Sequence, residues 1–338
     1  MQKWSQVRQG GGAKGYNFTR SALKPTPNDS TLLRVNPAHS TDQGGRFRRS
    51  MKIVILTYHS HHVLGSQYAN NDHIAFAEDL DLITSAGYRI KSLDHIVTTL
   101  EARKRGFPKG GDQNFRYVGL TFDDGPVFDV EDFTHPIYGF QRSFLGVMRD
   151  FLTTPSGRKQ PDLHATSFVI ASPEARHVME SAFDEEYTFL SPGSLGDGWW
   201  EPAISSGLIA IGNHSWDHLH PALVDVAHSQ RAHGDFRQVT TVEDADLQIL
   251  QAARYIAGKT HGRAAPFFAY PFGHYNEFLT HEYLPEAYRS EKLDLRAAST
   301  ADPRPLTGQE NRWALPRYVC GHDWKSPADL LGILVEKI

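Results

Sequence analysis

The sequence predicts an α/β protein, a distorted (β/α) barrel of seven or eight parallel strands preceded by a disordered leader. From Met51 onward, short runs of β-branched and apolar residues alternate with longer segments of helical period, as in repeated βα units. The length of 338 residues would hold one barrel of about 200–250 residues and a tail. We therefore expect a leader over residues 1–50 and a barrel over residues 51–338.

The leader differs from the rest of the chain in composition. Residues 1–50 are rich in Gly, Ser, Thr, Asn and Arg, poor in acids, and without apolar periodicity, which predicts disorder. The Arg content faintly resembles a transit peptide, and Met51 offers an alternative start directly before an apolar run. No secretory signal and no apolar stretch of about 18 residues is evident, so we expect a cytoplasmic protein without an integral membrane segment.

The predicted elements follow in chain order. The strands are expected near residues 52–57, 117–122, 164–170, 208–213, 266–271, 294–299 and 315–320. The helices are expected over residues 73–86 and 242–257, with others near 92–104, 139–152, 281–291 and 326–337. No internal repeat of solenoid or propeller length is present.

Polar residues follow four of these strands directly. They are His59, the pair Asp123-Asp124, His214, and the dipeptide Phe272-Gly273. In a parallel barrel, catalytic groups lie at the carboxyl ends of the strands. We therefore expect these residues to meet at one rim.

Two adjacent carboxylates lie in the run Thr121 to Pro126 (TFDDGP). Neighbouring side chains on a strand point to opposite faces, so both can serve one site only where the backbone turns, and Gly125-Pro126 supplies a turn. One carboxylate could then bind a cation while the other stays unligated. The alternative is an ordinary turn with both acids solvated.

A second group of candidate ligands lies in the run Asn213 to Pro221 (NHSWDHLHP). On a helical turn, His214 and His218 would share one side, with about 5–6 Å between their Cβ atoms. That separation suits two nitrogens on one metal, although isolated pairs of this spacing often lie on the surface. His220 is a possible substitute for His218 if the turn is irregular.

Together the two runs predict a catalytic metal site of Asp124, His214 and His218. Two His and one Asp leave positions open for water and substrate, and the single cysteine, Cys320, excludes a thiolate-rich zinc site. The runs resemble the first two signature motifs of the polysaccharide deacetylases, the fourth carbohydrate esterase family. The resemblance covers about residues 51–320 and implies that Asp123 is the catalytic base. It also implies that the other three residues bind zinc or a similar divalent ion, such as Co²⁺ or Ni²⁺.

The third motif departs from the family. Residues Phe268 to Gly273 (FAYPFG) resemble its Arg-x-Pro-aromatic-Gly motif, but Ala269 stands where the family usually has Arg. That Arg normally contacts the base, so either another cation replaces it or Asp123 is oriented differently. The resemblance implies that the backbone N–H of Phe272 is the oxyanion donor.

The proton donor is the least defined group. The opening Leu56 to His59 (LTYH) resembles the branch that deacetylates poly-N-acetylglucosamine, in which this histidine lies in the active site, so His59 is the first candidate for the general acid. The family's usual Leu-x-His motif is not found near the C-terminus. His322, followed by Asp323, is a substitute, or else a solvated loop residue.

The resemblance implies removal of N-acetyl groups, or O-acetyl groups as a lesser option, from a carbohydrate. Three alternatives remain open: a hydrolase of a small non-sugar amide with the same fold, a sugar-binding barrel that has lost turnover, and a purely structural metal site. A net charge of −4 gives no indication of a nucleic-acid partner.

The remaining aromatic, histidine and cysteine residues show no clear pattern. Trp199-Trp200 and the aromatic residues of 127–144 could stack on sugars, but they more often fill the core. We expect Cys320 to be a small core residue. Six further histidines are predicted to be surface or loop residues: His61, His62, His73, His135, His164 and His177.

Overall fold

Parallel strands form the centre of the structure, a computed structural model that describes residues 52–106, 115–182, 190–223 and 233–336. The predicted leader over residues 1–50 lies outside the described residues. The strands are β1 (Lys52–Tyr58), β2 (Arg89–Ile90), β3 (Arg116–Phe122), β4 (Phe133–His135), β5 (Gly139–Gln141), β6 (Ala165–Val169), β7 (Ile209–Asn213), β8 (Phe267–Ala269), β9 (Ala297–Ser299) and β10 (Tyr318–Val319).

One sheet contains all the strands except β4 and β5, which pair with each other as an antiparallel hairpin. Its order is β10-β1-β3-β6-β7-β8-β9, and all of these pairs are parallel. The short strand β2 pairs with the start of β3. The sheet curls into a half-barrel, and a parallel bridge between Ser299 and Leu315 links β9 to the segment before β10. The predicted fold class and its seven strands are confirmed.

Helices flank this sheet. They are α1 (Asp72–Ser85), α2 (Leu93–Lys104), α3 (Phe144–Thr153), α4 (Pro173–Ala182), α5 (Trp200–Ser205), α6 (Val242–Ala245), α7 (Ala252–Lys259), α8 (Leu284–Arg289) and α9 (Pro327–Val335). A π-helical segment, Asp246–Gln251, joins α6 to α7, and another, Phe278–Tyr283, leads into α8. Among the described residues, no helix is both long and apolar enough to cross a membrane.

The helix starts follow from polar residues that cap free backbone N–H groups. The Asn71 side chain accepts from the N–H groups of His73 and Ile74 at the start of α1, and Ser92 and Ser143 do the same for α2 and α3. Each cap satisfies a donor that has no partner within its helix.

The predicted helix over 139–152 is partly wrong. Residues 139–141 form strand β5, and the helix begins at Phe144, because the Ser143 hydroxyl accepts from the Gly146 N–H and fixes the start there. The β4–β5 hairpin, α4 and α5 were not predicted.

Alternation along β1 separates the helix-facing core from the barrel interior. Val54, Leu56 and Tyr58 belong to a helix-facing cluster with residues of α1, α3 and α9, whereas Ile53 and Ile55 belong to an interior cluster that also contains residues of α2. Thr57 continues the interior face, and its hydroxyl lies 2.9 Å from that of Thr121 on β3. The interior therefore changes from apolar to polar toward the carboxyl ends of the strands.

Trp199 and Trp200 fill the core rather than a sugar-binding surface. Their exposed fractions are 4% and 0%, and both belong to the helix-facing cluster. Cys320 is also buried in that cluster, as predicted. In the hairpin region, Phe128 stacks on Phe133 with ring centroids 3.9 Å apart, while Phe140 is 65% exposed.

We expect Trp200→Ala to destabilise the protein by about 3–5 kcal/mol, because it leaves a cavity where a large side chain was fully buried. Chemical denaturation, monitored by circular dichroism, would measure the change in the free energy of unfolding. As a control, Phe140→Ala removes an exposed ring and should change the unfolding free energy by less than about 0.5 kcal/mol. Equal effects of the two substitutions would contradict the core assignment.

Candidate active site and metal cluster

The carboxyl ends of the strands surround a cavity of about 550 Å³. Its lining includes each residue that the sequence predicted for the site: His59, Asp123, Asp124, His214, His218, Phe272 and His322. Arg317, His61 and His220 line it as well, and Met179 and Leu195 contribute an apolar wall. The expectation that the four predicted strand ends meet at one rim is confirmed.

Asp124, His214 and His218 form a compact cluster of metal-type ligands. One oxygen of Asp124, Oδ1, lies 3.4 Å from Nε2 of His214 and 3.4 Å from Nε2 of His218. One ligand atom from each residue lies within 4.8 Å of the others. His220, the possible substitute, is not part of this cluster, although its ring centroid lies 6.1 Å from that of His218.

The backbone orients His214 for metal binding. Its Nδ1 lies 2.9 Å from the carbonyl oxygen of Ala269 and donates to it, so Nδ1 carries a proton and Nε2 is the nitrogen left for a metal. A hydrogen bond from the distal ring nitrogen is typical of metal-binding histidines. Nε2 of His214, which faces Asp124, is therefore the ring nitrogen available to a cation.

The predicted helical turn between His214 and His218 is wrong. The segment is an irregular loop in which Ser215, His218 and Leu219 have φ values of 75°, 62° and 45°. Hydrogen bonds from side chains to the backbone replace those of a helix: the Asn213 side chain accepts from the Ser215 N–H, and the Ser215 hydroxyl accepts from the His218 N–H. The two imidazole centroids still lie only 4.9 Å apart.

Asp123 is held by Arg317, a residue that sequence reasoning missed. The two terminal nitrogens of Arg317 donate to the two carboxylate oxygens of Asp123, each at 2.8 Å. Arg317 is 1% exposed and also donates from Nε to the Thr300 carbonyl. The cation that replaces the family's usual Arg at position 269 thus comes from the segment before β10.

The charges around the site set its ionisation. Burial alone would raise the pKa of Asp123, but Arg317 and His214 outweigh it and hold that pKa below its ordinary value. Burial likewise acts to raise the pKa of Asp124, and the surrounding histidines hold it well below the ordinary value. Both carboxylates are therefore ionised at neutral pH.

The two candidate proton donors line the same cavity, and they follow two neighbouring strands of the sheet, β1 and β10. His59 follows β1, and its backbone N–H donates to Asp72 at 2.8 Å. His322 follows β10, with a side chain 83% exposed and Nδ1 2.8 Å from the Asp323 carboxylate. His59 is the more enclosed of the two rings.

The third motif forms a tight turn after β8. Phe272 has φ 58° and ψ 9°, and its ring centroid lies 4.4 Å from that of His218. Gly273 follows with φ 68°, where an added Cβ would lie 2.4 Å from the Cβ of Ala301. Only glycine fits there, so this turn fixes the position of the Phe272 backbone beside the metal-type cluster.

Three histidines predicted to lie on the surface or in loops are buried or line the cavity. His61 lines the cavity, with Nε2 3.7 Å from Oδ2 of Asp124. His73 is 3% exposed, and its two ring nitrogens each lie 2.7 Å from a backbone carbonyl oxygen, those of Arg142 and Ser60. His135 is 4% exposed, and its Nδ1 accepts from the N–H groups of Ile137 and Tyr138. Local hydrogen bonding makes their burial tolerable, which a residue pattern does not reveal.

Comparison with solved structures identifies the fold. The Streptococcus pyogenes deacetylase PplD, solved in complex with acetate, has a TM-score of 0.54 at 18% identity, covering 85% of this chain and 99% of that one. A Bacillus anthracis protein described as a polysaccharide deacetylase has a TM-score of 0.51 at 14% identity, covering 84% and 69%. A de-N-acetylase from Aggregatibacter actinomycetemcomitans has a TM-score of 0.51 at 12% identity, covering 82% and 99%.

The chain therefore has the fold of the polysaccharide deacetylases, and the resemblance predicted from its motifs is confirmed at the level of the fold. No protein-family model matches the sequence, and no curated protein matches it significantly.

We expect Arg317→Leu to destabilise the protein by about 3–5 kcal/mol, because it leaves the buried Asp123 carboxylate without its counter-charge. Arg317→Lys should cost less, since it keeps a charge but loses the two parallel bonds. Urea denaturation would measure both. The matched control is Arg237→Leu, which breaks an exposed pair with Asp235 and should leave the midpoint unchanged. A midpoint for Arg317→Leu equal to that of the control would contradict the role assigned to the pair.

Proposed function

We propose that this protein is a metal-dependent hydrolase that removes N-acetyl groups from a carbohydrate. One observation carries the proposal: a buried cluster of metal-type ligands lies directly beside a second, ionised carboxylate, that of Asp123, at the open end of a deacetylase fold. A structural metal site has no need for such a neighbour. The alternative of a barrel without turnover was motivated by the alanine at position 269, where an arginine was expected. Arg317 supplies a cation to Asp123 instead, which weakens that alternative.

The ligand set fits a divalent cation. Two imidazole nitrogens and one carboxylate oxygen are the donors that catalytic zinc sites use, with further positions open to water and substrate. The proton on Nδ1 of His214 leaves Nε2 able to bind a cation. Zn²⁺ is the metal we favour, and Co²⁺ or Ni²⁺ would accept the same donors.

The residues around the cluster would supply the proton acceptor and the oxyanion donor for hydrolysis. When bound, a divalent cation would supply a Lewis acid that polarises a carbonyl and acidifies water. Asp123 would accept a proton from the attacking water, and Arg317 holds its carboxylate ionised and oriented for that step. The Phe272 N–H would donate to the developing oxyanion, a contribution worth about 2.7–4 kcal/mol.

A proton must then reach the leaving nitrogen. We assign this step to His59, which lines the cavity and is more enclosed than His322. His59 is also among the groups that lower the pKa of Asp123, after Arg317 and His214. The products would be acetate and a free amine.

The substrate class rests on the fold and on the shape of the site. The Streptococcus pyogenes deacetylase was solved with acetate, the acid that the proposed reaction would release. In this protein the cavity opens to the surface beside Phe272, whose side chain is 41% exposed and could stack on a sugar ring. Ester-linked acetyl groups are the secondary expectation.

Two substitutions separate the base from the metal ligand. Asp123→Asn should retain one equivalent of Zn²⁺ or Co²⁺ but lower kcat by about 10²–10⁴, because it removes the proton acceptor, and with it the charge that pairs with Arg317, but no metal ligand. Asp124→Ala should lose the metal and the activity together. Metal analysis and acetate release from N-acetylglucosamine oligomers, acetylated xylan and peptidoglycan would measure these effects. Loss of bound metal in Asp123→Asn, or no acetate from any substrate with the metal-loaded wild type, would overturn the assignment.

The proton donor has its own test. His59→Ala should lower kcat by about 10²–10⁴ on an N-acetylated oligomer, while His322→Ala should lower it less than tenfold. Steady-state kinetics on both variants at equal metal occupancy would compare them. A larger loss in His322→Ala would transfer the role to that residue.

A further inference from the structure

The carboxylate of Asp124 faces histidines with both of its oxygens. Oδ1 lies 3.4 Å from Nε2 of His214 and 3.4 Å from Nε2 of His218, whereas Oδ2 lies 3.7 Å from Nε2 of His61. The side chain of His61 is 17% exposed, and it lines the same cavity. A third histidine, outside the cluster of metal-type ligands, therefore contacts the Asp124 carboxylate from the other side.

The loop that carries His61 is held at several points. The Ser60 hydroxyl donates to the buried carboxylate of Asp129 at 2.6 Å, and the Ser60 carbonyl lies 2.7 Å from Nε2 of His73. On the other side, His62 Nδ1 lies 2.6 Å from Asp72. With both neighbours fixed in this way, the position of His61 against Asp124 is set by the loop.

We propose that His61 is a positioning residue of the metal site, which donates from Nε2 to Oδ2 of Asp124 and so directs Oδ1 toward the cation. The inference rests on the proposed function, since it requires Asp124 to bind a metal. Metal-binding carboxylates are commonly hydrogen-bonded by a second residue, and loss of such a partner typically weakens metal binding 10–100-fold.

The chemistry of His61 agrees with this role. An imidazole carries one N–H donor when neutral and two when protonated, so His61 is able to donate to a carboxylate in either form. The separation of 3.7 Å exceeds the usual N–H···O limit by about 0.5 Å, so the proposed hydrogen bond requires His61 and Asp124 to approach by that amount.

The test compares three variants of the full chain by titrating Co²⁺ into metal-free protein, using calorimetry and the visible Co²⁺ spectrum. His61→Leu removes the donor and should weaken binding 10–100-fold with one site retained. His61→Gln places an amide N–H near the position of Nε2 and should bind within about threefold of wild type. His62→Leu is the matched control in the same loop, since His62 pairs with Asp72, and it should bind within about threefold of wild type.

The outcomes distinguish this proposal from the proposed function. Binding of one Co²⁺ by the wild type and its loss in Asp124→Ala support the metal site whatever His61 does. Within that result, wild-type affinity in His61→Leu, equal weakening in His61→Gln, or equal weakening in His62→Leu would each overturn the role of His61. A wild type that binds no Co²⁺ would overturn both.

Discussion

Arg317 and Asp123 form a bidentate ion pair in the interior, where each side chain is at least nine-tenths shielded from water. Removing two charges from water is costly, and their mutual attraction offsets that cost only with good geometry and satisfied neighbours. Both conditions hold: two parallel bonds of 2.8 Å join the pair, and Arg317 also donates to Thr300 and Thr121. The pair fixes the segment before β10 against the end of β3, across the intervening strand β1.

Strained backbone gathers around the same cavity. Several non-glycine residues with positive φ values lie in the loops that form the site. They are Asp124, Ser215, His218, Leu219 and Phe272. Such conformations cost about 1–3 kcal/mol each and persist where surrounding contacts enforce them. The enforcing contacts here are hydrogen bonds from side chains to the backbone, as at Asn213, Ser215 and Asp217. The loops therefore hold the ligands in place without regular secondary structure.

Sequence reasoning predicts the strands and the metal-type cluster because both depend on local signals. Apolar runs mark the strands, and the strand-end rule selects Asp124 and His214 from many polar residues. The loop geometry at His218 was not predictable, because side-chain hydrogen bonds there replace the helical pattern. Arg317 was also missed, since it meets Asp123 across 194 residues and the only signal was the alanine at position 269. His61 and His73 look like ordinary surface or loop residues, because their sequence pattern does not reveal the tertiary contacts with Asp124 and with the carbonyls of Arg142 and Ser60.

The origin of Arg317 affects how the site forms during folding. Asp123, Asp124, His214 and His218 all precede β9 in the chain, so the cluster residues are synthesised well before the cation that neutralises Asp123. Until β10 docks against β1, Asp123 has to stay hydrated or take up a proton, because an unpaired carboxylate is not stable in a dry interior. Docking of β10 against β1 and burial of Asp123 in its ionised form are thus coupled. A fragment that ended after β9 would keep all three metal-type ligands and Asp123 but would lack the guanidinium that pairs with Asp123.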